Sequence, residues 1–273
     1  GFTEDTADMI AYERIEVIRG SAGMMTGTGQ PSAAINMVRK RPAADFRASA
    51  AATVGSWDMV RIEGDVGGKV TADGRIRARV AGAWQDNKTF IDREHAKRQA
   101  LYGVVEADLT PTTLLTAGIE YQNFTNTGAS RGGVPLFYTD GTTTDFARST
   151  NSGAEWSDFN RKSVNLFASL THDFDKNWQL RIDAEHKAGS YDETIGYFFG
   201  RAIDKDTGLG GTLYSTRWAS DLTLNAVYAN LRGSFEALGQ EQHIALTLSH
   251  AQFDDDQTPY PGWWSGGDYA KSV

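Results

Sequence analysis

The stretch ERIEVIRGSAGMMTGTGQPSAAINMVRKRP, residues 13–42, alternates polar and apolar side chains and then breaks at Gly20, Gly23, Gly27 and Gly29. It alternates again and stops on Arg39, Lys40, Arg41 and Pro42. Gly27-Thr28-Gly29 invites a dinucleotide-loop reading, but no GxGxxG follows and no helix opens behind it. There is no GxxxxGK[ST], and Ser21 does not stand in a G-x-S-x-G elbow. The glycines therefore read as places where strand and turn backbone pack closely. What they pack into is decided by the rest of the chain.

Downstream, period-2 alternation dominates and helical periodicity is nearly absent. Ile76, Ala78, Val80 and Trp84 oppose Arg75, Arg77, Arg79 and Gln85; Trp178, Leu180, Ile182 and Ala184 oppose Gln179, Arg181, Asp183 and Glu185. The pattern predicts nine strands after residue 45, near 46–56, 58–67, 75–86, 99–109, 113–124, 161–173, 177–189, 221–237 and 241–253. After the first tight connection, short turns (68–74, 110–112, 175–177, 238–240) alternate with long linkers (87–98, 125–160, 190–220). Short turns on one side and long loops on the other, with one apolar and one charged face, are the signature of a transmembrane antiparallel β-barrel. A half-solvated sheet in a soluble protein is the alternative.

Composition narrows the chemistry. The 273 residues contain no cysteine, which excludes disulfides, thiolate metal sites and cysteine nucleophiles. A net charge of −8 lacks the basic footprint of a nucleic-acid binder. The five histidines show no ligand spacing, and the acidic runs 204–208 and 253–258 lack the terminal glutamate of a calcium loop, so no metal site is expected. No catalytic constellation is visible, so the chain does not read as an enzyme. The first residues and the terminal GGDYAKSV read as lying within a longer protein.

Residues 13–42 resemble the end of the plug domain of TonB-dependent outer-membrane receptors: ERIEVIRG, then SAGMMTGTGQPSAAIN, then MVRKRP. VGSWDMVRIEGDV, DGRIRARVAGAWQDNKTFIDR, EADLTPTTLLTAGIEYQ and RGGVPLFYTDGTTTDFARST extend the likeness to siderophore receptors of that family, nearest to those for ferric coprogen, rhodotorulic acid and pyoverdine. The resemblance implies a mainly β, 22-stranded barrel around an N-terminal plug. Residues 1–45 would be the plug's end and 46–273 the first nine or so strands. It also implies an outer-membrane location in a Gram-negative bacterium, a monomeric barrel set in lipid, and import of a ferric siderophore driven through TonB. No resident cofactor is expected, the iron arriving already chelated.

The resemblance also suggests site residues. Met25 and Thr26 occupy the plug apex, Thr26 standing where ferrichrome-type receptors carry tyrosine. Arg131 stands before the GG.P of the third loop, suited to an anionic chelate or to a neighbouring acid. Phe137, Tyr138, Trp156, Tyr197, Phe198, Phe199, Trp218, Trp263 and Trp264 fall in or beside the long linkers; of these Tyr138, Trp156, Tyr197 and Trp218 are candidate ligand contacts. Arg14, Glu16 and Arg19 are candidates for charge pairing between plug and barrel wall. Cobalamin, haem or an oligosaccharide would be alternative cargoes. A soluble carbohydrate-binding domain using Trp263 and Trp264 is a reading from another class.

Overall fold

A computed structural model describes residues 7–19, 33–200, 202–257 and 264–268. A 3-10 turn (Met9–Ala11) leads into a hairpin of β1 (Tyr12–Arg19) and β2 (Ala33–Arg39). Then come β3 (Arg47–Gly55), β4 (Met59–Lys69), β5 (Ile76–Lys88), β6 (His95–Thr110), β7 (Thr113–Thr127), β8 (Asp158–Asp173), β9 (Trp178–Phe199), β10 (Thr212–Ala237) and β11 (Gln240–Gln257). These nine pair antiparallel, each with its sequence neighbour, and a short β12 (Trp264–Asp268) pairs with the start of β10. All nine strands expected from alternation are present. The short turns lie at 70–75, 111–112, 174–177 and 238–239; the other end carries 56–58, 89–94, 128–157 and 200–211.

One face of this wall is an apolar band. Val60, Ile62, Val80, Leu101, Val105, Ile119, Leu166, Ile182, Val227, Leu246 and Leu248 are all exposed. The register shows that the band belongs to a tilted sheet. Trp84, Gln99, Asn123, Lys162, Ser190, Asp221 and Asp256 are successive neighbours along one row. On β5 the apolar run is topped by Trp84 itself; on β11 it is topped by Leu248, eight residues below Asp256. Those residues cover about 26 Å along the strands, against about 29 Å for the six strand spacings between β5 and β11. A level band thus requires a strand tilt of about 42°, within the range of outer-membrane barrels. The wall is that of a transmembrane β-barrel.

The same tilt corrects the linker expectation. The 190–220 segment is mostly strand: β9 and β10 stay paired from Gly233–Trp178 up to Thr212–Phe199, so Tyr197, Phe198 and Phe199 lie on β9 and Trp218 on β10 rather than in a loop. Above the band both faces are wet. Outward Asp192 and Arg217 are paired, and inward Glu193 and Trp218 oppose each other. Apolar alternation fades there while backbone pairing continues, so an alternation-based boundary falls short. β7 and β8 likewise extend into the 125–160 segment, leaving a loop of 128–157.

The other face receives the N-terminal segment. Ile10 and Ala11 pack with Ala81, Ala83, Ala100, Tyr102 and Val104, where small side chains on β5 and β6 let the 3-10 turn approach the wall. Tyr102 is fully buried and its hydroxyl donates to the Lys40 carbonyl at 2.6 Å. Its ring stacks with Phe167, over which the Arg39 guanidinium sits at 4.4 Å.

Candidate functional site: an arginine–aromatic vestibule above a charge-clamped segment

Two charge systems line the inner face. The lower one holds the N-terminal segment. Lys40 Nζ meets Asp65 at 2.7 Å, Arg41 meets the buried Glu106 at 2.5 Å, and Arg39 bridges Glu120 (3.5 Å) and Glu185 (3.3 Å). Tyr12 donates its hydroxyl to Glu120 at 2.8 Å. At the segment's start, Asp8 takes two bonds from the Arg61 guanidinium, at 2.7 and 2.9 Å, and caps the 3-10 turn through the Ile10 amide. The wall carboxylates also keep wall partners: Asp65 pairs with Arg79, and Glu106 with Arg77.

Arg14, Glu16 and Arg19 are not among these pairs. Arg14 and Glu16 bond each other at 2.6 Å and Glu16 also accepts from Asn36, all within the exposed hairpin. Residues two apart on a strand share a face, which lets Arg14 and Glu16 meet. Arg19 ends β1 opposite Ala33. The clamp falls instead on the basic exit, residues 39–41, which the sequence marked only as a stop.

Asp8 gives a pH expectation. Burial raises its pKa, but the Arg61 bonds, the Ile10 amide and the nearby Arg61 and Arg98 charges outweigh this and hold it below the ordinary 3.8. A depressed carboxylate contributes stability above its unfolded pKa and loses it as pH falls through the folded value. The thermal-stability gap between wild-type and Asp8→Asn full-length protein should therefore be constant from pH 8 to pH 5. It should close only below about pH 4; melting curves across that range check it.

The upper system stands above the apolar band. Along one inward row lie Phe159, Glu193 and Trp218, and along the next Arg98, Phe124, Arg161 and Tyr191. Glu193, 2% exposed, accepts from Arg131 at 2.5 Å and from Arg161 at 3.0 Å. Arg131 lies over the Trp218 ring at 4.6 Å, Arg161 over Phe159 at 4.5 Å, and Arg98 over Phe124 at 4.7 Å. Three guanidiniums thus lie over aromatic rings, and two of them, Arg131 and Arg161, share one buried carboxylate. Below them a cavity of about 200 Å³ reaches down to Tyr12 and Glu120. That is smaller than a drug-sized ligand pocket, so a bulky ligand would sit above it.

Arg131 and Trp218 are brought together as part of this array. Tyr197 packs over Gly132, where an added Cβ would meet its ring at 2.4 Å, and pairs with Tyr214 higher up. Trp156 lies over Gly196 in the same manner and packs loop 128–157 onto β9. Tyr138 sits apart, near the loop tip, donating to Asp145 at 2.6 Å. Met25, Thr26 and Trp263 lie outside the described residues. Arg98, Phe124, Phe159, Arg161, Tyr191 and Glu193 were missed. Carrying the strand parity of 177–189 four residues further would have put Glu193 on the inner face.

No protein-family model matches the chain. Among curated proteins it is 36% identical to the ferric-pyoverdine 358 receptor of Pseudomonas putida, over 93% of this chain and 33% of that protein. It is 34% identical to the ferripyoverdine receptor of Pseudomonas aeruginosa, over 89% of this chain and 30% of that protein. The chain thus spans about a third of the length of the relatives it matches. The crystal structure of the P. aeruginosa receptor bound to ferripyoverdine superposes with a TM-score of 0.84 at 32% identity, over 94% of this chain and 35% of that one. The ferric preacinetobactin receptor of Acinetobacter baumannii, at 17% identity and a TM-score of 0.76, shares the fold. Over nearly all its length the chain is homologous to the ferripyoverdine receptors, which are TonB-dependent siderophore receptors.

Proposed function

We propose that this chain is part of an outer-membrane receptor that binds a ferric siderophore of the pyoverdine type and imports it, with energy delivered through TonB. Residues 1–45 are the end of its plug and residues 46–273 the first part of its barrel. The observation that carries the reading is the arginine–aromatic vestibule on a wall homologous to ferripyoverdine receptors. Flat π faces suit a bulky ligand held at low entropy cost, and guanidiniums suit the anionic oxygens of a ferric chelate. The chain's own residues do binding and gating and make or break no bond. Iron is cargo, held by the siderophore.

The test is titration of the detergent-purified full-length receptor with ferric pyoverdine, ferric coprogen and ferrichrome, followed by tryptophan quenching. Saturable quenching by ferric pyoverdine is expected. Arg131→Ala and Arg161→Ala should each weaken it roughly tenfold, as for loss of one charge-assisted contact. Binding of ferrichrome or coprogen alone would change the cargo; no binding of any ferric complex would overturn the siderophore reading.

A further inference from the structure

At the low corner of the rim, the tips of β3–β4 and β5–β6 carry a cluster that neither the clamp nor the vestibule uses. Trp57 and Phe90 are both exposed, with ring centroids 6.4 Å apart, and the Arg148 guanidinium lies 5.4 Å from the Phe90 ring. Trp57 and Asp58 both adopt positive φ, 58° and 56°. A bulky residue held in the left-handed region costs energy, so the fold retains an exposed tryptophan there against its backbone preference.

Height fixes what this cluster meets. Val54 and Val60 face each other at the top of the apolar band on β3 and β4, and Trp57 is only three residues above Val54. The β9–β10 hairpin, by contrast, rises from Val227 to Thr212 before it turns. The cluster is therefore continuous with the lipid-facing surface, at the level where aromatic girdles meet headgroups. The neighbouring charges leave one cation over. Lys88 is paired with Asp58, and both Lys97 and His95 with Asp86. Arg148 has no carboxylate partner among the described residues. It is held in place by its neighbours: Asp92 N–H donates to the Ser149 carbonyl at 2.8 Å, and Asn151 Nδ2 to the Asp92 carbonyl at 2.8 Å.

We propose that Trp57, Phe90 and Arg148 form an outer-leaflet anchor in which the two rings enter the headgroup layer and Arg148 bonds a lipid phosphate. This ties loop 128–157, which carries Arg131, to the membrane surface. The inference rests on the outer-membrane reading but not on the identity of the cargo.

The test uses the delipidated full-length receptor and native mass spectrometry, with lipid A and dephosphorylated lipid A as probes. Wild type should retain the phosphorylated form roughly tenfold better, the size of one charge-assisted contact. Arg148→Gln should erase that preference and Arg148→Lys should keep part of it. Trp57→Gly, a substitution that suits the left-handed turn, should lower retention of both forms alike. No phosphate preference in wild type, or an unchanged one in Arg148→Gln, overturns the anchor. Ferric pyoverdine titration of the same samples should be unaffected by all three variants. Its failure in wild type would count against the cargo and leave the lipid result standing.

Discussion

Replacing Arg39, Lys40 and Arg41 together by alanine is expected to turn the full-length receptor into a leaky pore. Each cation meets a wall carboxylate of low exposure: Glu120 (7%), Asp65 (12%) and Glu106 (3%). Arg41 is itself 64% exposed and its contribution is screened accordingly. Allowing for that, the three pairs together stabilise seating of the N-terminal segment on the wall by roughly 3–6 kcal/mol. The wall should survive the change. Asp65 keeps both bonds to Arg79, Glu106 keeps Arg77, and Glu120 keeps the Gln122 amide. No wall carboxylate is left bare, so the cost falls on docking rather than on the barrel.

Single-channel conductance in planar bilayers would read the loss as frequent openings absent from wild type, with heat-modifiable migration on gels confirming a folded barrel. A triple variant as tight as wild type would mean that the N-terminal segment is seated by contacts elsewhere. A double reversal such as Lys40→Glu with Asp65→Lys is not a clean control here, because the cation introduced on the wall would then face Arg79.

The residues that made the barrel legible in sequence are those whose environment alternates between lipid and water. Ile76 to Trp84 and Trp178 to Ala184 announced strands because one face must be apolar and the other need not be. Where both faces meet water that contrast disappears. The upper halves of β9 and β10 therefore read as linker although they pair without a break from Gly233–Trp178 to Thr212–Phe199. The same blindness hid half of the vestibule. Arg131 and Trp218 were visible as an isolated cation and an isolated ring, whereas Glu193, Arg161 and Phe159 acquire meaning only through register. Arg14 and Glu16 bond each other and not the described strands of the wall, for a related reason. Charge on a hairpin strand says that a face is wet, but not whether the water is replaced by the wall. At 39–41 the seat was fixed by Tyr102, whose hydroxyl donates to the Lys40 carbonyl, and by Gly118, where a Cβ would strike the Phe167 ring at 2.4 Å.

Glu193→Gln is expected to damage ligand binding more than removal of either arginine it holds. Its two carboxylate oxygens each accept from a different guanidinium. A glutamine amide offers one acceptor oxygen and turns its NH2 donor toward the other arginine, so one guanidinium loses its partner and the two cations repel. Breaking a buried ion pair on one side costs about 3–5 kcal/mol; with Arg131 42% exposed, about 2–4 kcal/mol is the fitting range. The displaced arginine leaves its ring, so the stack over Trp218 or Phe159 goes too. Affinity for ferric pyoverdine should fall by at least about thirtyfold, a little over 2 kcal/mol. Loop 128–157 should become more sensitive to protease. Because Glu193 acts by positioning Arg131 and Arg161, adding Glu193→Gln to an Arg131→Ala, Arg161→Ala background should cost little more, a coupling measured by comparing the triple variant with the arginine double variant and with Glu193→Gln alone. Additive losses would mean that Glu193 touches the ligand itself. A gain in affinity on Glu193→Gln would mean that the carboxylate masks the guanidiniums rather than aims them, and would reverse the role assigned to it.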